Sequence, residues 1–372
     1  MANTLTSVIP QLLAQGLMAL RENAIMPQLV NRAYESKAAE KGSTIDVPIP
    51  SAVAAVAVTP AITPPANADS APTSVPIALN SWYEAPFYLT DKEILEIQSG
   101  FIPMQASEAI KSLANQVNTD IMSLYKKFYG VAGTAGTTPF GVDTSPATNV
   151  RKVLNKQLAP LGDRRLVLDP DAEGSALNLR ALQDQSWRSN ASSIINGTIS
   201  RTMGFDWFMH QLVPSHTKGT GTGYLINGTM TLGSKTLTMD TGTGTHVEGD
   251  IITIAGDTQT YVVTAAALTG ATTLLIYPGL KAVPADNAAI TITNTTGVQN
   301  LAFHRDAIAF ATRPLQNVEA GLGAITSSTV DAESGLTLRL EVTRQHKQTR
   351  WSFDILYGFA VVRRELGARL LG

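Results

Sequence analysis

The strongest constraint in this sequence is one unbroken helical stripe. Ala106, Ile110, Leu113, Val117, Ile121, Leu124 and Phe128 recur at three- and four-residue steps over about 104–129. That spacing places apolar side chains on one face of a 3.6-residue helix. Lys111, Asn115, Asn118 and Lys126 fall on other faces, and Gly130 and Gly133 stop the pattern. At 1.5 Å per residue the helix reaches about 39 Å, against roughly 11–12 residues for an average helix. A chain with one such helix builds a core along it.

The C-terminal region supplies a second long element. Leu336, Leu338, Leu340 and Val342 alternate with Thr337, Arg339, Glu341 and Thr343. Beyond a polar turn at 345–348, Trp351, Phe353, Ile355, Tyr357, Phe359 and Val361 resume the alternation. Two period-two runs joined by a short polar turn predict an antiparallel hairpin. Residues 5–35 predict two helical pieces, with Leu13, Leu17 and Leu20 in one stripe and Ile25, Leu29 and Val30 in the next. Pro27 permits a break between them. Both a core helix and an arm that docks on a neighbour fit this segment.

Residues 43–81 have another character. Prolines stand at 48, 50, 60, 64, 65, 72 and 76, and no Lys or Arg occurs between Lys41 and Lys92. Proline removes ladder donors and keeps to edges and turns. The stretch is too proline-dense for a compact sheet and too apolar for a solvated linker. It reads as an extended, acidic hairpin or loop lying on another surface; an Ala/Pro linker is the alternative. The cluster 82–88 predicts a return to packed structure. Thr90 followed by Glu93 is a capping-box signature, with a short helix to about Gln98 and Gly100 at its end.

The middle of the chain alternates helix and strand. Helices are expected at about 146–158 and 172–186, a strand at 164–169, and strand-like alternation of aromatics at 197–216. Composition shifts at Lys218. From there to Gly297 the chain is rich in Thr and Gly and has no helical period. Short runs at 229–232, 235–239, 250–254, 259–264, 272–276 and 289–293 are separated by turn signals, which predicts a small β-sandwich or barrel. Three lysines stand against five carboxylates there, so this segment carries the whole net charge of −2. Its Gly-rich ends suit a domain inserted into a loop of another.

Charged residues make up only 16% of the 372, where a soluble monomer usually carries about a quarter. Such a chain is expected to hide much of its surface against copies of itself. The slightly negative net charge gives no overall basic field for nucleic acid. The absence of cysteine excludes disulfides, thiolate metal sites and Cys nucleophiles. The first cation is Arg21 and the longest apolar run is 52–58, which predicts neither a cleavable leader nor a membrane helix.

No catalytic, metal or cofactor site is expected. His210 and His216 lack a third ligand nearby in sequence. His304 sits beside Arg305 and Asp306 without a G-x-S-x-G partner. The glycine-rich runs 130–136 and 219–223 lack the phosphate-cradling lysine pattern, and Asp169-Pro-Asp171 reads as a strand-ending turn. Asn190, Asn196, Asn227 and Asn294 match the glycosylation pattern by composition alone.

Four segments in fixed order carry a resemblance. Residues 82–94 read WYEAPFYLTDKEI, the long helix follows, 298–315 read VQNLAFHRDAIAFATRPL, and 350–366 read RWSFDILYGFAVVRREL. Together they resemble the major capsid proteins of tailed bacteriophages, the HK97-like fold, in the branch with an inserted β-domain. The resemblance implies an α+β HK97-like capsid fold. Its parts would be an N-terminal helical arm (1–43), an extended loop (44–92), and a peripheral domain (93–160 and 325–372) with a long spine helix packed on a long β-hairpin. An axial α/β domain (161–217 and 298–324) and an inserted small all-β domain (218–297) would complete it. It implies no enzyme and no cofactor, but a subunit that assembles with itself through hexamers and pentamers into an icosahedral head. Scaffolding protein and portal would be partners, double-stranded DNA would be touched only weakly and non-specifically, and no membrane would be involved. The chain would be made in the host bacterial cytoplasm and end in the virion. Some members are welded by a Lys–Asn isopeptide whose lysine lies in the extended loop; this loop has none, so a non-covalent shell is expected. Candidate inter-subunit residues are Asp46, Asp69 and Glu84 against Arg151, Lys152, Arg164, Arg165, Arg339, Arg344, Lys347 and Arg350. A β-rich surface or carbohydrate-binding structural protein is the alternative reading of the Thr/Gly region.

Overall fold

The computed structural model describes residues 24–34, 44–51, 71–96, 101–183, 196–317, 323–331 and 334–372, with isolated positions 13, 16, 18, 20, 55 and 60. Asp69 and the last three residues of the helix expected at 172–186 lie outside the described residues; the rest of that helix is present as two pieces, Pro170–Leu177 and Arg180–Gln183. The chain divides into two compact units, one of residues 1–21, 31–113 and 308–362, the other of 22–30, 114–307 and 363–372.

In the first unit the expected hairpin is present as strands Thr337–Gln345 and Gln348–Val361, paired from Arg339↔Asp354 to Gln345↔Gln348. His346 and Lys347 form a two-residue loop, with Lys347 at φ 55°. Leu338, Leu340, Phe353 and Ile355 line one face and are buried. A Cβ on Gly16 would fall 2.4 Å from Ile110 Cδ1 and 3.6 Å from Leu338 Cδ2. The N-terminal segment, the long helix and the hairpin therefore meet there, and Leu13 and Leu20 are buried with them. The alternation along the hairpin is incomplete: Thr337, Arg339, Ser352 and Asp354 on the opposite face are buried as well.

The outer edges of the hairpin carry further strands. Ala324–Val330 pairs with the first hairpin strand. Ser81–Thr90 and Ile308–Thr312 both pair with the second, on opposite sides, since Tyr357 has a partner in each, Ser81 and Thr312. Thr44–Ile49 and Thr73–Ala78 form a separate antiparallel ribbon. Its alternate residues Ile45, Val47 and Ile77 bury themselves with Leu79 against Ala309 and Ala311. The capping box closes reciprocally: Glu93 accepts from the Thr90 amide at 2.8 Å, and Thr90 Oγ1 accepts from the Glu93 amide at 3.3 Å.

The long helix spans Phe101–Ser123 and tightens into a 3₁₀ turn, Leu124–Lys127. Every stripe residue from Ala106 to Phe128 is buried. Gly130–Gly133, expected only as a stop, is a strand parallel to Gly367–Leu371. The second unit's main sheet continues through Gly297–His304 and Arg164–Leu168 to Asp206–Met209. Helix Ser145–Lys156 turns Ala147, Val150 and Leu154 inward and packs over the first two of these strands.

Within the same unit, six antiparallel strands run in the order Ile290–Ile292, Ile251–Ile254, Tyr261–Val263, Thr273–Tyr277, Thr236–Asp240, Leu225–Ile226. They enclose a core of their own that includes Tyr224, Leu237, Met239, Ile254, Tyr261 and Ile276. The run at 229–232 is not a strand; its place is taken by Leu225–Ile226. Gly228 and Gly233, at φ 79° and 80°, bracket that run in left-handed turns that an extended segment cannot include. On the outer side of this sheet, Ile251 and Val262 pack on Tyr129.

Candidate functional site

The richest cluster of functional side chains lies on the polar face of the hairpin sheet. Directly opposed residues in an antiparallel pair share a face, so the register Glu84↔Asp354↔Arg339 lines up three charges across three strands. Arg339 Nη2 donates to Asp354 Oδ2 at 2.5 Å and to Glu341 Oε2 at 3.3 Å, and its Nη1 donates to the Gln316 carbonyl. Arg350 Nη2 donates to both oxygens of Glu84 at 2.7 Å. Ser352 Oγ lies 3.1 Å from Glu84 and 2.9 Å from Asp354 and bridges the two pairs. Tyr88 lies beneath the Arg350 guanidinium, 5.9 Å from ring centre to Cζ. At the tip of the hairpin, Arg344 reaches Asp91 at 2.5 Å, and this hydrogen bond, with the arginine's charge, holds the Asp91 carboxyl below its ordinary value.

The cluster 82–88 is not packed as expected. Strand Ser81–Thr90 lies at an edge, and Trp82 is 62% exposed and Tyr88 49%. The other outer strand, Ala324–Val330, also exposes apolar side chains, Ile325 and Val330. An uncovered edge strand is a template for another chain. Pro86 blunts the first edge, whereas Ala324–Val330 contains neither proline nor charge.

The residues expected to reach other subunits thus divide. Glu84, Arg339, Arg344 and Arg350 are engaged within their own sheet. Arg164 is corrected from a surface candidate to an internal strut. It is 1% exposed and donates to the Pro160 and Ala159 carbonyls at 2.7 Å, because those carbonyls lie just past a helix end and need a donor. Arg165 donates to the Gln28 carbonyl at 3.1 Å. Asp46, Arg151, Lys152 and Lys347 remain exposed, and Asp46 and Lys152 have no charged partner among the described residues. Sequence reasoning missed Lys156, one helical turn after Lys152 on the same exposed face.

His216 belongs to a buried hydrogen-bonded cluster. His216 Nδ1 lies 3.0 Å from Tyr125 Oη and Nε2 lies 3.0 Å from Asp250 Oδ1. Burial opposes ionisation of Asp250, but the His216 ring and the Val247 and Gly219 amides outweigh it and hold the carboxyl below its ordinary value. Arg369, fully buried against Tyr125, donates to the Phe128 and Gly249 carbonyls; desolvation pulls its pKa down to about 9. Sequence spacing carries no signal for this cluster, whose members lie 34 to 241 residues apart. Among the described residues no group of three or more His, Asp or Glu is placed to hold a metal ion.

No family model and no curated protein matches the chain. Solved structures do. The chain is similar to a structure from Mycobacterium phage Che8, with 13% identity over 92% of this chain and 88% of the other and a TM-score of 0.50. It is equally similar to the capsid structure of cyanophage P-SCSP1u, with 11% identity over 89% and 84% and a TM-score of 0.50. The fold is therefore the HK97-like capsid fold that the four sequence segments resemble.

Proposed function

We propose that this chain is the major shell subunit of a tailed-phage head, assembling through hexamers and pentamers into an icosahedral shell around double-stranded DNA. The observation that carries this reading is the shared fold, which extends over 89% of this chain and 84% of the chain in the cyanophage capsid structure. Sparse charge, two strands that lie outermost in the sheet among the described residues and an exposed Trp82 agree with it, since each offers surface to copies of the same chain. In this reading 44–92 is the extended loop, 218–297 is the inserted β-domain, and the role is structural rather than enzymatic. Scaffolding protein and portal act during assembly in the host cytoplasm, and the product resides in the virion. Among the described residues of that loop, Asp46 is an exposed carboxylate without a charged partner, free to meet a neighbour.

Size exclusion and electron microscopy of the purified chain test the reading. Capsomers or closed megadalton shells are expected. A stable monomer eluting at the chain's own 39.5 kDa under all assembly conditions would overturn it. Within an assembling chain, Asp46→Lys is expected to cause misassembly with helicity unchanged, and replacing 52–70 by a Gly-Ser bridge is expected to abolish closed shells.

A further inference from the structure

Among the described residues several cations are engaged by a carboxylate: Lys111 by Glu108, Lys127 by Glu248, Arg344 by Asp91 and Arg350 by Glu84. Helix Ser145–Lys156 is the contrast. It contains Arg151, Lys152 and Lys156 and no carboxylate. All three are exposed; Lys152 and Lys156 lie on the side opposite its buried Ala147, Val150 and Leu154, and Arg151 flanks that buried face. Lys152 and Lys156 have no partner among the described residues, and Arg151 makes only a 3.3 Å bond to the Met203 carbonyl.

That bond places the 201–206 turn beside the helix, and the turn adds Arg201, which is 52% exposed and only loosely paired with Asp206 at 3.8 Å. Four exposed cations, Arg151, Lys152, Lys156 and Arg201, thus lie on this helix and on the turn beside it, in a chain whose net charge is −2.

We propose that this surface binds the phosphate backbone of nucleic acid. Lys152 and Lys156 are one turn apart, about 5–6 Å between Cβ atoms, and a duplex offers one phosphate charge per about 1.7 Å of axis. The acidic segment 44–81 of a second copy is a poorer match, because it offers only Asp46 and Asp69 in its whole length. The surface is a set of side-chain cations that meets phosphate charge, so binding is expected to be independent of sequence. The inference deepens the shell reading by locating where the enclosed DNA would be touched, yet the binding itself does not depend on a shell.

The test uses the full-length chain, kept unassembled as judged by size exclusion, and a short fluorescein-labelled DNA duplex titrated at several salt concentrations. Four phosphate contacts give a slope of log K against log salt of about −3.6, and removing three reduces its magnitude by about 2.7. The variant Arg151→Gln/Lys152→Gln/Lys156→Gln is expected to show that reduction with unchanged circular dichroism, whereas Lys347→Gln keeps the original slope. An unchanged slope in the triple variant, or no binding by the unaltered chain at low salt, overturns the proposal. So does binding of a synthetic 44–81 peptide that the triple variant loses while its DNA binding persists; that result assigns the surface to a second copy. Electron microscopy of the same variant scores shell formation separately, so failure to bind DNA and failure to form a shell are read independently.

Discussion

Gly358 is the position where a single methyl group tests the packing of the ribbon root. It lies in strand Gln348–Val361, and a Cβ there would fall 2.4 Å from the Ala78 carbonyl oxygen and 2.9 Å from its carbon. Both are backbone atoms, so no side-chain rotation relieves the overlap. Two responses compete. Releasing the root would expose Ile45, Val47, Ile77 and Leu79, none more than 7% exposed; at about 1.5–3 kcal/mol each this costs roughly 6–12 kcal/mol. Shifting the root while keeping it packed costs about 1–3 kcal/mol, as for other overpacked sites. The smaller cost wins, so Gly358→Ala is expected to lower stability by about 1–3 kcal/mol while the ribbon stays docked. Equilibrium urea unfolding of the unassembled chain, followed by tryptophan fluorescence, measures it, with the denaturant slope unchanged. The opposite sign is available: a strand glycine with room for a methyl gains about 0.4–1 kcal/mol on becoming alanine. A neutral or stabilising result would refute the close approach of Ala78 to this strand.

Further outcomes follow from the same packing. Val117 is fully buried, so Val117→Asp is expected to give aggregated chain, since a carboxylate would have to be buried unpaired or protonated. Lys111→Ala, which removes only an exposed pair with Glu108, is expected to leave solubility and assembly unchanged in a sedimentation assay. Arg339→Leu leaves the buried Asp354 carboxylate without its main partner and is expected to cost about 3–5 kcal/mol in urea unfolding, with most of the loss recovered in Arg339→Leu/Asp354→Leu. The Asp250 carboxyl is depressed in the folded chain, so its stabilisation is complete above the ordinary carboxylate value of about 3.9 and is lost as pH falls through its lower folded value. Asp250→Asn is therefore expected to melt lower at neutral pH yet lose less on acidification. The isolated segment 218–297, which holds the core around Leu237 and Ile254, is expected to give dispersed β-type amide signals and to melt cooperatively; a random-coil spectrum would contradict an autonomous domain.

Local patterns in the sequence determined the elements whose forces are local. The stripe from Ala106 to Phe128 is buried throughout, because a 3.6-residue period selects one helix face whatever covers it. Thr90 and Glu93 close their capping box because both partners lie within one turn. The hairpin is legible because alternation and a short turn set its register. Only the tertiary structure decided what depends on distant partners. Glu84 finds Arg350 and Tyr125 finds His216 across 266 and 91 residues, and no periodicity encodes such pairings. Arg164 looks like any surface arginine until the helix end beside it supplies two carbonyls. Gly130–Gly133 reads as a stop until Gly367–Leu371 arrives from the far end of the chain to pair with it. Charge and backbone donors are satisfied by whichever groups the fold brings near, so their roles emerge only when remote segments meet.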